Sequence, residues 1–250
     1  MNSGNWDGLL WLWITLAVVV FLVLLFVSAP YGRHVRDGWG PTLSATVAWV
    51  GMESASLFAL WWGVLNAAAG GQPVLLPLLL WTAHYVYRAW IYPLRAHARA
   101  RRMPVIVMLM AVAFNGVNGY TNGIFIGSGW VQENAFAWSD MRTWLGLCLF
   151  VLGAGLNIGA DNELLRLRRQ GGGYRIPRGV LHARISCPNY LGELIEWTGF
   201  AVLCWNLPAL AFAVWTVANL VPRALEHHRW YLRTFPDYPR SRRALVPFLL

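Results

Sequence analysis

The chain is written in long apolar runs separated by short polar stretches rich in arginine. The runs lie near residues 7–28, 44–68, 74–94, 104–125, 143–166, 189–205 and 208–226. A helix needs about 20 apolar residues to cross the hydrocarbon core of a bilayer, and most of these runs have that length. The sixth and seventh could form one long helix, but Asn206-Leu207-Pro208 breaks the pattern, because proline cannot continue a helix that it did not begin. The pattern therefore predicts an all-α, polytopic membrane protein with seven transmembrane helices, the last two forming a tight hairpin. No period marks an internal repeat, and no segment is low in complexity. The whole of 1–250 reads as one domain.

Composition agrees. Of 250 residues, 57% are hydrophobic and 12% charged; a soluble domain carries about twice that charged fraction. A soluble globular enzyme, a disordered protein and a disulfide-stapled secreted domain are excluded. Met1 to Gly8 hold no basic residue ahead of the first run, which argues for a retained first span and against a cleaved signal peptide. Cys148, Cys187 and Cys204 have no metal-ligand spacing. Cys148 and Cys204 sit inside apolar runs and are expected as small core residues.

Charge sets the topology. The 20 basic residues are all arginine, stand against 11 acidic ones and give a net charge of +9. In a soluble chain that excess would suggest nucleic acid as a partner. In a membrane chain arginines gather in cytoplasmic loops. Arg33 and Arg36 lie in loop 29–43; Arg95, Arg99, Arg101 and Arg102 in loop 95–103. Arg168, Arg169, Arg175, Arg178 and Arg184 lie in loop 167–188, and Arg229, Arg233, Arg240, Arg242 and Arg243 follow the last run. The alternate connections hold Arg142 alone. Seven spans with the N-terminus outside place every rich loop, and the C-terminus, in the cytoplasm. An even number of spans would break the alternation.

Ionisable groups inside a span are costly and mark a functional interior. Counted from the cytoplasmic ends at about 1.5 Å per residue, Glu53 lies about 13 Å deep on the second run and Tyr85 about 15 Å deep on the third. Asn157 on the fifth run reaches a similar depth. Shallower polar residues recur at helical spacing: Asn157, Asp161 and Arg168; Asn189, Glu193 and Glu196; Arg223, His227 and Tyr231; His84, Arg88 and Arg95. Together these stripes describe a pocket for a large polar ligand that opens to the cytoplasm and is closed at its deep end by an acid and a phenol. Taken alone, Glu53 reads equally as an interhelical hydrogen bonder and Tyr85 as a packing residue. His227-His228 lacks a metal-ligand pattern, and no metal is expected. Gly153, Gly155 and Gly159 lie inside a transmembrane run with no strand before them, so close helix packing explains them better than a dinucleotide loop.

These same residues resemble the steroid 5α-reductase family, nearly collinearly from Tyr31 onward. The resemblance rests on Tyr31-Gly-Arg-His34, on Trp49 with Glu53, and on His84-Tyr85 with Arg88. It is densest over 146–250, through Gly155-Leu-Asn157-Ile158 with Asp161, Tyr174-Arg-Ile-Pro177 and Asn189-Tyr-Leu-Gly-Glu-Leu-Ile-Glu-Trp197. Leu207 to Phe212, Arg223 with His227-His-Arg-Trp-Tyr231, and Asp237 to Arg242 complete it. Asn118 to Gly129 match only in part.

The resemblance implies a seven-helix membrane reductase that takes NADPH from the cytoplasmic side and reduces the C4=C5 bond of 3-oxo-Δ4-steroids. By position, Glu53 and Tyr85 would be catalytic and hold the 3-keto oxygen, with Trp49 beside the substrate. Asn157, Asp161, Arg168, Tyr174, Arg175, Asn189, Glu193, Arg223, His227 and Tyr231 would line the cofactor site. The implied partners are a steroid or other lipidic enone and the bilayer, with no nucleic acid and no metal, around a monomer. A bacterial inner membrane is expected, or the endoplasmic reticulum if the source is eukaryotic. The rival readings are a reductase of another lipidic enone, of polyprenol or enoyl-thioester type, a membrane methyltransferase and, more remotely, a transporter or a structural membrane protein.

Overall fold

The computed structural model describes residues 3–36, 38–67, 73–96, 102–129, 137–171 and 173–247. Arg99 and Arg101 of the second basic loop lie outside the described residues. The elements run in the order α1 (Ser3–Phe26), β1 (Thr42–Ser44), α2 (Ala45–Ala67), α3 (Leu75–Val86), a π-helical turn (Tyr87–Ile91), α4 (Tyr92–Ala96), β2 (Arg102–Pro104), α5 (Val105–Gly127), α6 (Met141–Arg169), α7 (Pro188–Cys204) and α8 (Leu207–Thr234).

Among the described residues, every apolar run is helical over most of its length, so the all-α expectation holds. Among the described residues, five stretches are long and apolar enough to cross a membrane: Trp6–Phe26, Ala45–Ala67, Val105–Gly127, Met141–Arg169 and Leu207–Thr234. The third run is divided between α3, the π turn and α4, while α7 has only 17 residues. α8 continues beyond the expected end at 226 to Thr234. Hydrophobicity marks where a helix leaves the lipid, and the helix itself goes on into the polar region.

Local chemistry sets the boundaries. α6 begins behind Asp140, whose Oδ1 accepts the Arg142 backbone N–H at 2.8 Å, as an N-capping carboxylate does. Bonds from the Arg142 side chain and backbone hold that carboxyl below the usual carboxylate range. The expected break between α7 and α8 falls at Trp205, which takes a positive φ of 47°. Asn206 Oδ1 then caps α8 by accepting the Ala209 N–H at 2.9 Å. The π turn has its own cause. Pro93 lacks an N–H and would press on the carbonyl four residues earlier, and widening the preceding turn relieves both problems.

The chain divides into two compact units. One comprises Ala29–Trp144 and Leu203–Ala209. Its spine is α2 against α5, packed backbone to backbone: a Cβ on Gly119, Gly123 or Gly127 would strike Ser56, Leu60 or Val64 of α2. Gly63 of α2 meets Tyr120 and Gly123 in return. Asn122 Nδ2 donates to the Pro208 carbonyl at 3.3 Å, and β1 and β2 form a short antiparallel pair with Leu43 opposite Met103.

The other unit comprises Met1–Ser28, Leu145–Val202 and Leu210–Leu250. Here α6 and α7 are the close pair. A Cβ on Gly153 would strike the Gly192–Glu196 backbone, and one on Gly192 or Gly199 would strike α6. The packing expected of the glycine run thus holds for Gly153, whereas among the described residues a Cβ on Gly155 would meet open space and one on Gly159 would meet the Leu181 side chain. Trp197 meets Phe150 at 6.0 Å and Phe212 at 4.5 Å, joining α6, α7 and α8. Trp13 of α1 packs on Trp215 of α8 at 4.8 Å. Cys204 is buried as expected, but Cys148 is exposed. A membrane helix is apolar on its outward face as well, so an apolar run does not tell a cysteine in the core from one facing lipid.

Candidate active site

In the unit containing α6, α7 and α8, the two glycine-lined helices approach closely enough for short polar side chains to span the gap. Asn157 Nδ2 donates to the Asn189 carbonyl at 2.9 Å and to Glu193 Oε2 at 3.3 Å. Asn189 Nδ2 donates in turn to Asp161 Oδ1 at 3.0 Å. Asn157 and Asp161 are 3% and 1% exposed. A buried amide left unpaired costs about 2 kcal/mol or more, so the four residues hold one another in a single arrangement. Four of the ten cofactor candidates therefore form one connected seam.

Tyr190 links this seam to α8. Its hydroxyl accepts from Arg223 Nε at 3.1 Å, and its ring stacks on His227 at 5.5 Å. Cys187 Sγ lies 3.9 Å from His227 Nδ1. Further along α8, Tyr231 stacks on Tyr238 with ring centroids 4.9 Å apart. Tyr174, from the loop after α6, packs edge-on against Trp230 at 5.0 Å. Arg175 is exposed and donates to Gln170 at 3.0 Å. Arg168 is half-buried in the last turn of α6.

The loop and the tail are tied together beneath these residues. Ser186 Oγ is 2.7 Å from His228 Nδ1, 2.7 Å from the Tyr238 hydroxyl and 3.1 Å from the Arg243 carbonyl. The backbone continues the join: Arg243 N–H donates to Arg184 O at 2.9 Å, Ser186 N–H to Arg243 O at 2.8 Å, and Cys187 N–H to Ala244 O at 3.1 Å. Glu163 of α6 accepts from the Gly179 N–H and from His182 Nδ1. Burial keeps the His182 imidazole below the usual histidine range; Glu163 opposes that shift, and Arg242 adds to it.

The other unit carries the acid and the phenol. Trp49 and Glu53 lie one turn apart on α2. Trp49 Nε1 donates to the Arg88 carbonyl at 3.2 Å, and the Arg88 guanidinium sits 5.1 Å from the centres of both the Trp49 and Tyr92 rings. The residues flanking Glu53 are also fixed: Asn115 donates to Met52 O at 2.7 Å, and Trp90 Nε1 donates to Ser54 Oγ at 3.0 Å. Tyr85, 3% exposed, stacks on Trp81 at 5.4 Å with His84 edge-on at 5.0 Å. The π turn falls between Tyr85 and Arg95 and adds a residue to one turn, so the stripe drawn through His84, Arg88 and Arg95 does not run straight.

Sequence reasoning missed Ser186, Tyr238, Glu163 and His182, whose partners are distant in the chain. It also missed the stripe of Gly119, Gly123 and Gly127, although its four-residue spacing is visible.

The chain matches the family model described as 3-oxo-5-alpha-steroid 4-dehydrogenase over residues 101–250. It is 41% identical over 247 residues to the steroid 5-alpha-reductase DET2 of Gossypium hirsutum, covering 94% of this chain and 93% of that protein. It is 40% identical over 243 residues to 3-oxo-5-alpha-steroid 4-dehydrogenase 2 of Rattus norvegicus, covering 94% of each, and 40% identical over 241 residues to the protein of that name from Homo sapiens, covering 93% of each. A helical membrane fold with a polar seam between close-packed helices thus goes with an oxidoreductase sequence. The chain belongs to the steroid 5-alpha-reductase family.

Proposed function

We propose that this protein reduces the C4=C5 double bond of 3-oxo-Δ4-steroids to 5α-dihydro products, using NADPH. The observation that carries the reading is near-equal identity, 41% and 40%, to named plant and animal reductases over 94% of the chain.

The donor set of the α6–α8 unit fits a dinucleotide. Asp161 and Glu193 offer carboxylate acceptors for hydroxyl and amide hydrogens, and Asn157 and Asn189 orient them. Arg168, Arg175 and Arg223 suit phosphate oxygens, which guanidinium groups bind in pairs. Tyr174, His227 and Tyr231 present flat rings to a flat ligand. NADPH held by these residues supplies the hydride.

In the α2–α5 unit, Glu53 in its protonated form and Tyr85 act as hydrogen-bond donors to the steroid's 3-keto oxygen. Reduction at the β-carbon of an enone builds negative charge on that oxygen, and fixed donors stabilise it as an oxyanion hole does. Trp49, braced by Arg88, borders the steroid. A proton then completes the α-carbon.

The five apolar spans are joined, in this reading, by Leu75–Ala96 and Pro188–Cys204 to make seven, with the N-terminus outside and the polar seam facing the cytoplasm. The chain works as one reductase domain and as a monomer.

The test is NADPH oxidation by detergent-purified protein given testosterone or progesterone, with products identified by mass and stereochemistry. A 5α-dihydro product is expected. NADPH binding without reduction of either steroid would move the substrate to another lipidic enone. Failure of the folded protein to bind NADPH would overturn the reading.

A further inference from the structure

We propose that Glu163 is a positioning residue for the cofactor site: its carboxylate ties the end of α6 to the loop at Gly179 and His182, and so fixes where that loop presents Tyr174 and Arg175. The proposal rests on the reading of Tyr174 and Arg175 as cofactor residues.

Glu163 lies two residues beyond Asp161, in the stretch of α6 that carries the seam. Its Oε1 accepts the Gly179 N–H at 2.5 Å, and its Oε2 accepts from His182 Nδ1 at 2.9 Å. The side chain is 11% exposed and that of His182 is fully buried. A carboxylate accepts at both oxygens, so His182 donates through Nδ1, and burial favours the neutral ring. Arg242, facing His182 from the tail, favours the same neutral ring.

Gly179 and His182 are the two ends of a single 3₁₀ turn, Val180–His182, closed by the His182 N–H bonding to Gly179 O at 3.0 Å. One carboxylate therefore grips both ends of the turn. Gripped at two atoms, the turn can neither rotate about a single bond nor slide along the helix.

Gly179 carries a second line of evidence. Its backbone, φ −70° and ψ 167°, is one that any residue adopts, so glycine is not required for conformation. A Cβ there would instead overlap the Glu163 carboxylate. The missing side chain makes room for the carboxylate's close approach.

Among the described residues, the outer part of the loop has few other ties beyond the Leu181 side chain beside Gly159. Val180 is 91% exposed, Leu181 is exposed, and the Arg178–Asp237 pair is 3.4 Å long between side chains 76% and 64% exposed. An exposed pair of that kind contributes little. Tyr174 on Trp230 and Ser186 on the tail fix the two ends of the segment; Glu163 fixes its middle.

The experiment uses the full chain in detergent, comparing wild type with Glu163→Ala, Glu163→Gln, Gly179→Ala, Arg175→Ala and the Glu163→Ala/Arg175→Ala pair. It reads kcat, the KM for NADPH and amide hydrogen exchange across residues 173–182. Glu163→Ala and Gly179→Ala are expected to raise the KM for NADPH about tenfold with kcat nearly unchanged, the cost of misplacing binding groups by a fraction of an ångström or more. Exchange across 173–182 should accelerate in both. Glu163→Gln keeps one acceptor oxygen and should recover most of the loss. In the double variant the two effects should fall short of multiplying, because a misplaced loop matters less once Arg175 is gone.

The proposal is overturned if Glu163→Ala and Gly179→Ala leave the KM for NADPH within about twofold of wild type while Arg175→Ala raises it. It is also overturned, together with the cofactor reading of the loop, if Arg175→Ala leaves that KM unchanged; faster exchange in Glu163→Ala would then mark the tether as purely structural. Should Glu163→Ala not fold, Glu163→Gln and Gly179→Ala decide the matter by the same readouts.

Discussion

The side-chain amide of Asn189 donates to the buried Asp161 carboxylate across 3.0 Å, from α7 to α6. The bond exists because the two helix backbones nearly touch at Gly153 and Gly192, which brings short side chains within reach of each other. Asn189→Ala should therefore act on the ligand site more than on the fold. A hydrogen bond to a charged group is worth about 1.5–3 kcal/mol, so the dissociation constant for NADPH should rise at least about tenfold. Fluorescence titration of NADPH checks this, and an unchanged constant would remove Asp161 from the site.

Glu53→Gln and Tyr85→Phe should separate chemistry from cofactor binding. Losing one oxyanion donor lowers turnover by about 10²–10³-fold. NADPH affinity should stay at the wild-type level, since neither residue belongs to the α6–α8 seam. Wild-type turnover in either variant would end the assigned role.

Arg223→Ala and His227→Ala are expected to do the reverse. Both groups meet Tyr190, one through its hydroxyl and the other through its ring. The KM for NADPH should rise in each, with the steroid KM unmoved, as steady-state kinetics would show.

Gly123→Ala and Gly153→Ala add a methyl group where backbone already stands, and overpacking of this kind costs about 1–3 kcal/mol. Gly155→Ala is the control, because nothing lies within 4 Å of its added carbon. The first two should lower the melting temperature in detergent, and the third should hold or raise it, since alanine is the better helix former.

His182 should give the protein a pH-dependent stability. In the unfolded chain the ring takes up a proton near its ordinary value of 6.5, whereas burial makes the folded form resist until lower pH. Stability should fall as pH drops through the interval below 6.5 and stop falling once the folded ring is also protonated. Between about pH 7.5 and 5.5 the wild-type melting temperature should drop further than that of His182→Gln. Equal drops would show that His182 does not carry the effect.

The helices were legible because each apolar run is long enough to report itself, and the break at Asn206 because a capping residue and a proline stand together. Asn157, Asp161, Asn189 and Glu193 were legible by spacing, since polar side chains on a membrane helix have few other reasons to recur. Spacing could not show which of them meet, nor that Tyr190, between two candidates, is the link to Arg223 and His227. The π turn was hidden because Pro93 acts on the turn before it. The Glu163–His182 and Ser186–Arg243 pairings were hidden because no local rule connects residues so far apart in the chain.

Ser186 and His228, at 2.7 Å, have the look of a nucleophile and its base. The third contact suggests a different role. The Arg243 carbonyl, a pure acceptor, stands 3.1 Å from the same oxygen and can take its single hydrogen. With the proton on that bond, the imidazole and the phenol would both donate to the serine oxygen. Whichever way the protons lie, one small side chain joins the loop, α8 and the tail at a single atom, a three-way fastener.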